Sequence, residues 1–256
     1  MADGALNPQV ASAEETQCRR LRADAARNRE AVLSAAREVF AEQGLGAPLE
    51  EIARRAGVGI GTLYRRFPTR EQLVSAALIG KISQYAVAAE QALAEPDPWA
   101  GFTGFVRQIC AMQAGDRGLA DLLLITLAPG EELEAIRDRA NRALIRLIDR
   151  AKDAGQLRTD MVGEDLLLML IGNSAIAAAA SQDAPLALPR FVALMLDAFR
   201  PRPGADLPRP PSTAQMRRVM SRLAAERGCG RATWRPGRGP GSEEPGGRAP
   251  KPPQEP

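Results

Sequence analysis

Residues 49–70, LEEIARRAGVGIGTLYRRFPTR, leave this chain few ways to fold. Leu49, Ile52, Ala53 and Ala56 recur at helical intervals and share one apolar stripe. Gly57 follows the last of them, where a helix commonly ends in the left-handed conformation that glycine tolerates. Val58 then plugs the corner, and the small Ala53 lets the next helix cross closely. Leu63 and Phe67, four apart, fall on one face of a second short helix. That leaves Thr62, Tyr64, Arg65 and Arg66 to face outward. Pro68 stops the second helix, and Thr69 with Gln72 three residues on reads as the capping box of the next. Two short helices joined by a glycine turn are a helix-turn-helix, whose second helix enters the DNA major groove. A hydroxyl, a phenol and two guanidiniums on that helix suit phosphate oxygens and base edges.

Charge follows the same division. Residues 19–70 carry a net +5 and residues 71–200 a net −5, within an overall +3. All 11 basic residues of the 19–70 segment are arginine, the side chain best suited to bidentate phosphate or guanine contacts. A positive head on a negative body is expected where one end meets phosphate.

The string AGVGIGTLYRRFPTREQL resembles the DNA-binding domain of the tetracycline-repressor (TetR) family of bacterial transcriptional regulators. The resemblance is specific over residues 27–73 and weaker over 74–200. The family motif, A-G-V-S-x-x-T-x-Y-x-x-F and then a basic residue, falls on Ala56, Gly57, Val58, Gly59, Thr62, Tyr64, Phe67 and Arg70. It implies an all-α protein: an N-terminal three-helix DNA-binding domain and a C-terminal helical bundle for ligand binding and dimerisation. It also implies that Thr62, Tyr64 and Arg70 contact DNA backbone or bases. With Gly59, Ile60, Gly61, Arg65, Arg66 and Arg27 they make up the expected DNA-binding face. Gly59 stands where the family usually has a serine N-cap, a change worth only a few tenths of a kcal/mol. Pro48 and Leu49 replace a common Thr-Val entry, removing a threonine–phosphate contact. Gly61 costs the recognition helix about 1 kcal/mol relative to alanine. Two readings of it stand side by side: close approach of the backbone to DNA, or a weak helix held by packing.

The rest of the chain reads as helices. The first runs from about Asp24 to Gln43, with Val32, Ala35, Ala36, Val39 and Phe40 on its buried face. A long fourth helix from Thr69 to Ala94 bridges head and body, followed by helices near 99–114, 118–128, 131–154, 163–181 and 188–200. The last two are apolar on more than one side and rich in small residues, which suits a four-helix seam between two subunits. Phe102, Phe105, Ile109, Met112, Leu123, Leu127, Met169 and Asn173 are candidate walls of an effector pocket, though such residues at helical spacing also fit an ordinary core. Beyond Arg200 the density of 12 Pro and 8 Gly in 56 residues predicts a disordered tail. Within it, Ser212 to Arg227 has the pattern of a basic amphipathic helix. The expected layout is a flexible arm over 1–22, the DNA-binding domain over 23–70, a regulatory and dimerisation domain over 71–200 and the tail over 201–256.

With 0 histidines the chain cannot perform Ser-His-Asp or Cys-His catalysis, and nearly all zinc geometries fall away. No phosphate-binding glycine loop follows a strand, so no enzyme, metal or cofactor is expected. Cys18, Cys110 and Cys229 are far apart and odd in number, which points to a reducing compartment. No secretory signal or membrane span is expected, and the cytoplasm is the expected location. The function expected is a ligand-responsive repressor that binds a pseudo-palindromic operator as a homodimer, with a small-molecule effector of unknown identity. The alternatives are a non-sequence-specific architectural DNA-binding protein and, third, a helical ligand carrier.

Overall fold

A computed structural model describes residues 8–124, 130–180, 184–202, 204 and 207–227. Among these residues there are ten helices and no strand: α1 (Pro8–Gln43), α2 (Leu49–Arg55), α3 (Ile60–Arg66), α4 (Arg70–Leu93), α5 (Pro98–Gly115), α6 (Arg117–Leu124), α7 (Gly130–Asp153), α8 (Gly163–Ala180), α9 (Ala184–Ala198) and α10 (Thr213–Glu226). The all-α expectation holds. Three boundaries differ from the sequence reading. α1 is helical from Pro8, so the flexible arm expected over 1–22 is a helix from that residue on. Its sequence explains this: proline suits a first helical position, and residues 9–43 contain no further glycine or proline. α9 starts at Ala184 and carries Pro189 inside it. Part of the expected disordered tail is the formed helix α10; residues 228–256 lie outside the described ones.

The local chemistry that ends each head element is visible. Gly44 closes α1 at φ +82°, its N–H donating to the Phe40 carbonyl at 2.8 Å. Gly57, at φ +67°, closes α2 with a paired motif: its own N–H donates to Arg54 O and the Val58 N–H to Ala53 O. Thr69 caps α4, its hydroxyl accepting from the Gln72 N–H at 3.2 Å, the Thr69 half of the expected capping box.

One apolar core runs through head and body. In the head it contains Val39, Phe40, Leu45, Leu49, Ile52, Leu63 and Phe67, all under 5% exposed. The same cluster continues through Leu73, Leu78 and Ile82 of α4 into α5, α7 and α8. Head and body also meet where α6 butts against the end of α1. There a side chain on Gly118 would lie 3.0 Å from the Phe40 carbonyl, so the two helices touch backbone to backbone. α8 is apolar enough by length and composition to cross a membrane, with mean hydropathy 1.3, although Glu164 and Asp165 lie in its first turn.

Candidate nucleic-acid interface

α3 presents its outer face without obstruction. Leu63 is the buried anchor of this helix, and the Phe67 ring just beyond it is also buried. Gly59, Ile60, Gly61, Arg65 and Arg66 are exposed, while Thr62 and Tyr64 are half-buried. Gly59 serves as N-cap by its backbone alone: its carbonyl accepts from the N–H groups of Thr62 and Leu63, and no side chain caps the helix. A side chain added at Gly59 or Gly61 would meet nothing within 4 Å. Packing within the chain therefore does not require glycine at either position. The Arg65 guanidinium donates to the Thr62 hydroxyl at 3.2 Å, holding both on the exposed edge.

The other expected contact residues are deployed differently. Arg70 donates through one nitrogen to the carbonyls of Leu45 and Ala47, both at 2.7 Å. It thus fastens the α1–α2 turn to the start of α4, and that side of its guanidinium faces into the protein rather than toward a groove. Arg66 donates to the Ala25 carbonyl at 2.7 Å, tying α3 to α1, and Arg29 lies 5.7 Å above the Phe67 ring on the same seam. Arg27 pairs with Asp24 one turn back on α1. Arg54 and Arg55 both bond Glu51, whose carboxyl they hold down at about 2, and Arg55 also reaches Glu42 of α1. These arginines knit the three helices together, while Ile60, Gly61 and Arg65 on the edge of α3 stay exposed.

Asp121 was missed by the sequence reading. Its carboxylate, 5% exposed, accepts from the Leu45 N–H at 2.8 Å, and one of its oxygens would sit 2.5 Å from any side chain at Gly44. A body residue therefore grips the turn between α1 and α2. A single acid in the apolar run GLADLLLITLA is the signal that points to a buried, partnered carboxylate.

The candidate effector residues lie on α5, α6 and α8: Phe102, Phe105, Ile109 and Met169 belong to one apolar core, and Met112 and Leu123 pack against it. Phe102 packs among aromatic rings, with Trp99 at 5.8 Å and Phe199 at 6.3 Å. It belongs to the core at the far end of α5, about 16 Å along the helix from Gln113 at 1.5 Å per residue. Phe105 stacks at a tilt on Tyr85 at 5.6 Å. Leu127 lies outside the described residues, and Met112 and Leu123 are half-buried. Asn173, Ile109 and Met169 are buried. Asn173 donates to both the Cys110 carbonyl and the Gln113 side-chain oxygen at 3.1 Å. The carbonyl can only accept, so both amide orientations are fixed. Gln113 Nε2 and Asn173 Oδ1 are then left buried without a partner. Burial pushes the neighbouring Cys110 thiol up to about 12, so it is no nucleophile there.

An arginine-laced three-helix head with an open third helix, set on a helical body, defines a helix-turn-helix DNA reader with an attached regulatory domain. The family model for bacterial regulatory proteins of the tetR family matches residues 32–77. The model for the C-terminal domain of SbtR-like transcriptional regulators matches residues 97–201. A TetR transcriptional regulator from Streptomyces coelicolor is 36% identical, the match covering 68% of this chain and 98% of that one, with TM-score 0.45. A TetR regulatory protein from Mycobacterium vanbaalenii is 35% identical, over 71% of this chain and 99% of that one, with TM-score 0.37. A curated HTH-type transcriptional regulator of Staphylococcus aureus is 34% identical over 88 residues, which are 33% of this chain and 46% of the relative. The chain thus spans about half the length of that relative. The family models and the sequence identities place the chain in the TetR family of DNA-binding transcription regulators, a family of regulators rather than enzymes.

Proposed function

We propose that the protein is an effector-responsive repressor that binds a pseudo-palindromic operator as a homodimer in the cytoplasm. The observation that carries this reading is the pairing of two exposed surfaces in one chain. One is the open face of α3, with Thr62, Tyr64 and Arg65. The other is the α8–α9 hairpin, where Leu168, Leu186 and Leu194 are 46%, 79% and 55% exposed. Exposed leucines on adjacent helices mark an association site, and a hairpin from each of two subunits makes a four-helix seam. Two-fold symmetry then sets two copies of α3 against two half-sites about one helical turn apart.

An effector is supported by the Gln113–Asn173 pair. An unpartnered buried donor and acceptor each cost about 1–3 kcal/mol, and a neutral, mostly apolar molecule with a polar end would satisfy them. Coupling to DNA requires only about 1–3 kcal/mol, a 5–150-fold change in affinity. Both α4 and the Asp121 contact from α6 transmit body movement to the head.

The test is selection of bound sequences from random duplex DNA by the purified full-length protein at near-physiological salt. Enrichment of an inverted repeat supports the symmetric reader and supplies an operator. Binding without enrichment, lost steeply with added salt, replaces this reading with an architectural one. No binding favours a ligand carrier.

A further inference from the structure

We propose that α10 is a latch on the joint between head and body, and that its docking strengthens DNA binding. The DNA part of this inference rests on the function proposed above; the joint itself does not.

α10 begins with a complete capping box at Ser212 and Gln215, so it is a defined helix with a fixed start. It buries Met216, Met220 and Ala224 against the body and turns Arg217, Arg218 and Arg222 to solvent. Its 14 residues span about 21 Å. Polar anchors hold the segment along its whole length. The Leu207 N–H donates to Asp160, the Thr213 hydroxyl bonds Glu164 at the start of α8, and Arg227 lies at the far end. Arg227 donates to Asp121 at 2.8 Å and to the Ser174 hydroxyl of α8 at 3.2 Å.

Asp121 is therefore shared. One carboxylate oxygen accepts from the Leu45 N–H in the head; the other accepts from Arg227 at the end of α10. Leu45 is held from its other side by Arg70, which bonds its carbonyl. A turn gripped at both N–H and C=O has little freedom, so the angle at which α2 and α3 leave α1 is fixed through Asp121. The arginine beside that buried carboxylate comes from residues beyond 201, where the match to the family's C-terminal model ends. The joint of the matched domains is completed by a segment outside both. When α10 leaves, Asp121 loses a charge-assisted partner, its hold on Leu45 weakens, and the head samples more orientations. Fewer of those fit a fixed pair of half-sites, so apparent affinity falls with the competent fraction.

The experiment compares the full-length protein with Arg227→Gln and Met220→Glu, the second undocking the helix through its apolar face. Amide hydrogen exchange is read at Leu45 and along α10, and binding is measured to the duplex recovered by the selection above. The expected result is exchange at Leu45 about tenfold faster in both variants, with α4 and α7 unchanged. DNA affinity is expected to fall about 5–20-fold, within the range of ordinary allosteric coupling. Loss of protection along α10 in Met220→Glu with unchanged Leu45 exchange overturns the latch. So does unchanged DNA affinity in both variants. If the selection yields no preferred duplex, the repressor reading fails on its own, and exchange at Leu45 still decides the joint.

Discussion

α2 and α3 are adjacent helices of seven residues each, yet they are built on opposite plans. α2 buries Leu49, Ile52 and Ala53, carries Glu50 and Glu51 in its first turn and Arg54 and Arg55 in its last, and joins Glu51 to both arginines and Arg55 to Glu42 of α1. That is a helix arranged for stability, with charges matched to its dipole. α3 buries Leu63 alone, has no acidic residue in its first turn, contains Gly61 and leaves Ile60 exposed. A helix this weak persists because its neighbours hold it. What α3 forgoes in stability goes with an exposed outer edge, the face proposed above to meet DNA.

The contrast breaks most visibly in α2. Ile52 is fully buried, and Ile52→Ala is expected to cost about 2–5 kcal/mol, read as a lowered midpoint in chemical or thermal denaturation. Arg70→Ala comes next. Its two bonds to the α1–α2 turn are charge-assisted, and losing them is expected to cost about 1.5–3 kcal/mol of stability, with DNA affinity falling as a consequence. A Tm unchanged by Arg70→Ala alongside weakened DNA binding would return this residue to a direct contact role. Tyr64→Ala and Arg65→Ala should do the reverse of Ile52→Ala. Each is expected to weaken binding to the selected duplex by about 1–3 kcal/mol; the denaturation midpoint stays near wild type for the exposed Arg65, whereas Tyr64, packed against the core, also loses some stability. Arg65→Ala is the one expected also to relax sequence preference, because a guanidinium can reach base edges.

The sequence made α2, the turn at Gly57 and the anchor pair Leu63 and Phe67 legible because helical spacing and a glycine stop are local signals. The start of α1 was not. The periodic apolar face begins only at Val32, so the start was read near Asp24, although residues 9–23 contain no glycine or proline to end the helix. The role of Arg70 was hidden for another reason: its carbonyl partners lie at Leu45 and Ala47, more than twenty residues away, and no periodicity records that. Asp121 and Arg227 are separated by 106 positions, so their pairing depends wholly on how α10 docks. The proline and glycine around α10 mark disorder by composition; the amphipathic pattern over Ser212–Arg227 was legible within them, but not that this helix docks on the body. Local rules found the reading helix; long-range polar contacts, which decide how it is aimed, needed the fold.

Gly61→Ala gives the smallest effect and separates the two readings of α3 most cleanly. The position is open, with nothing within 4 Å of an added side chain, so alanine is expected to stabilise the helix by up to about 1 kcal/mol. If the glycine is there only because packing tolerates a weak helix, DNA binding should stay the same or improve as the helix firms. If the backbone comes close to DNA, the new methyl group stands where the duplex lies, and affinity should drop while the denaturation midpoint rises. The expectation is the second pattern, stability up and affinity down by a few-fold, measured on one protein preparation by denaturation and by titration with the selected duplex. Opposite movement of the two quantities cannot come from helix propensity alone, because propensity moves both the same way.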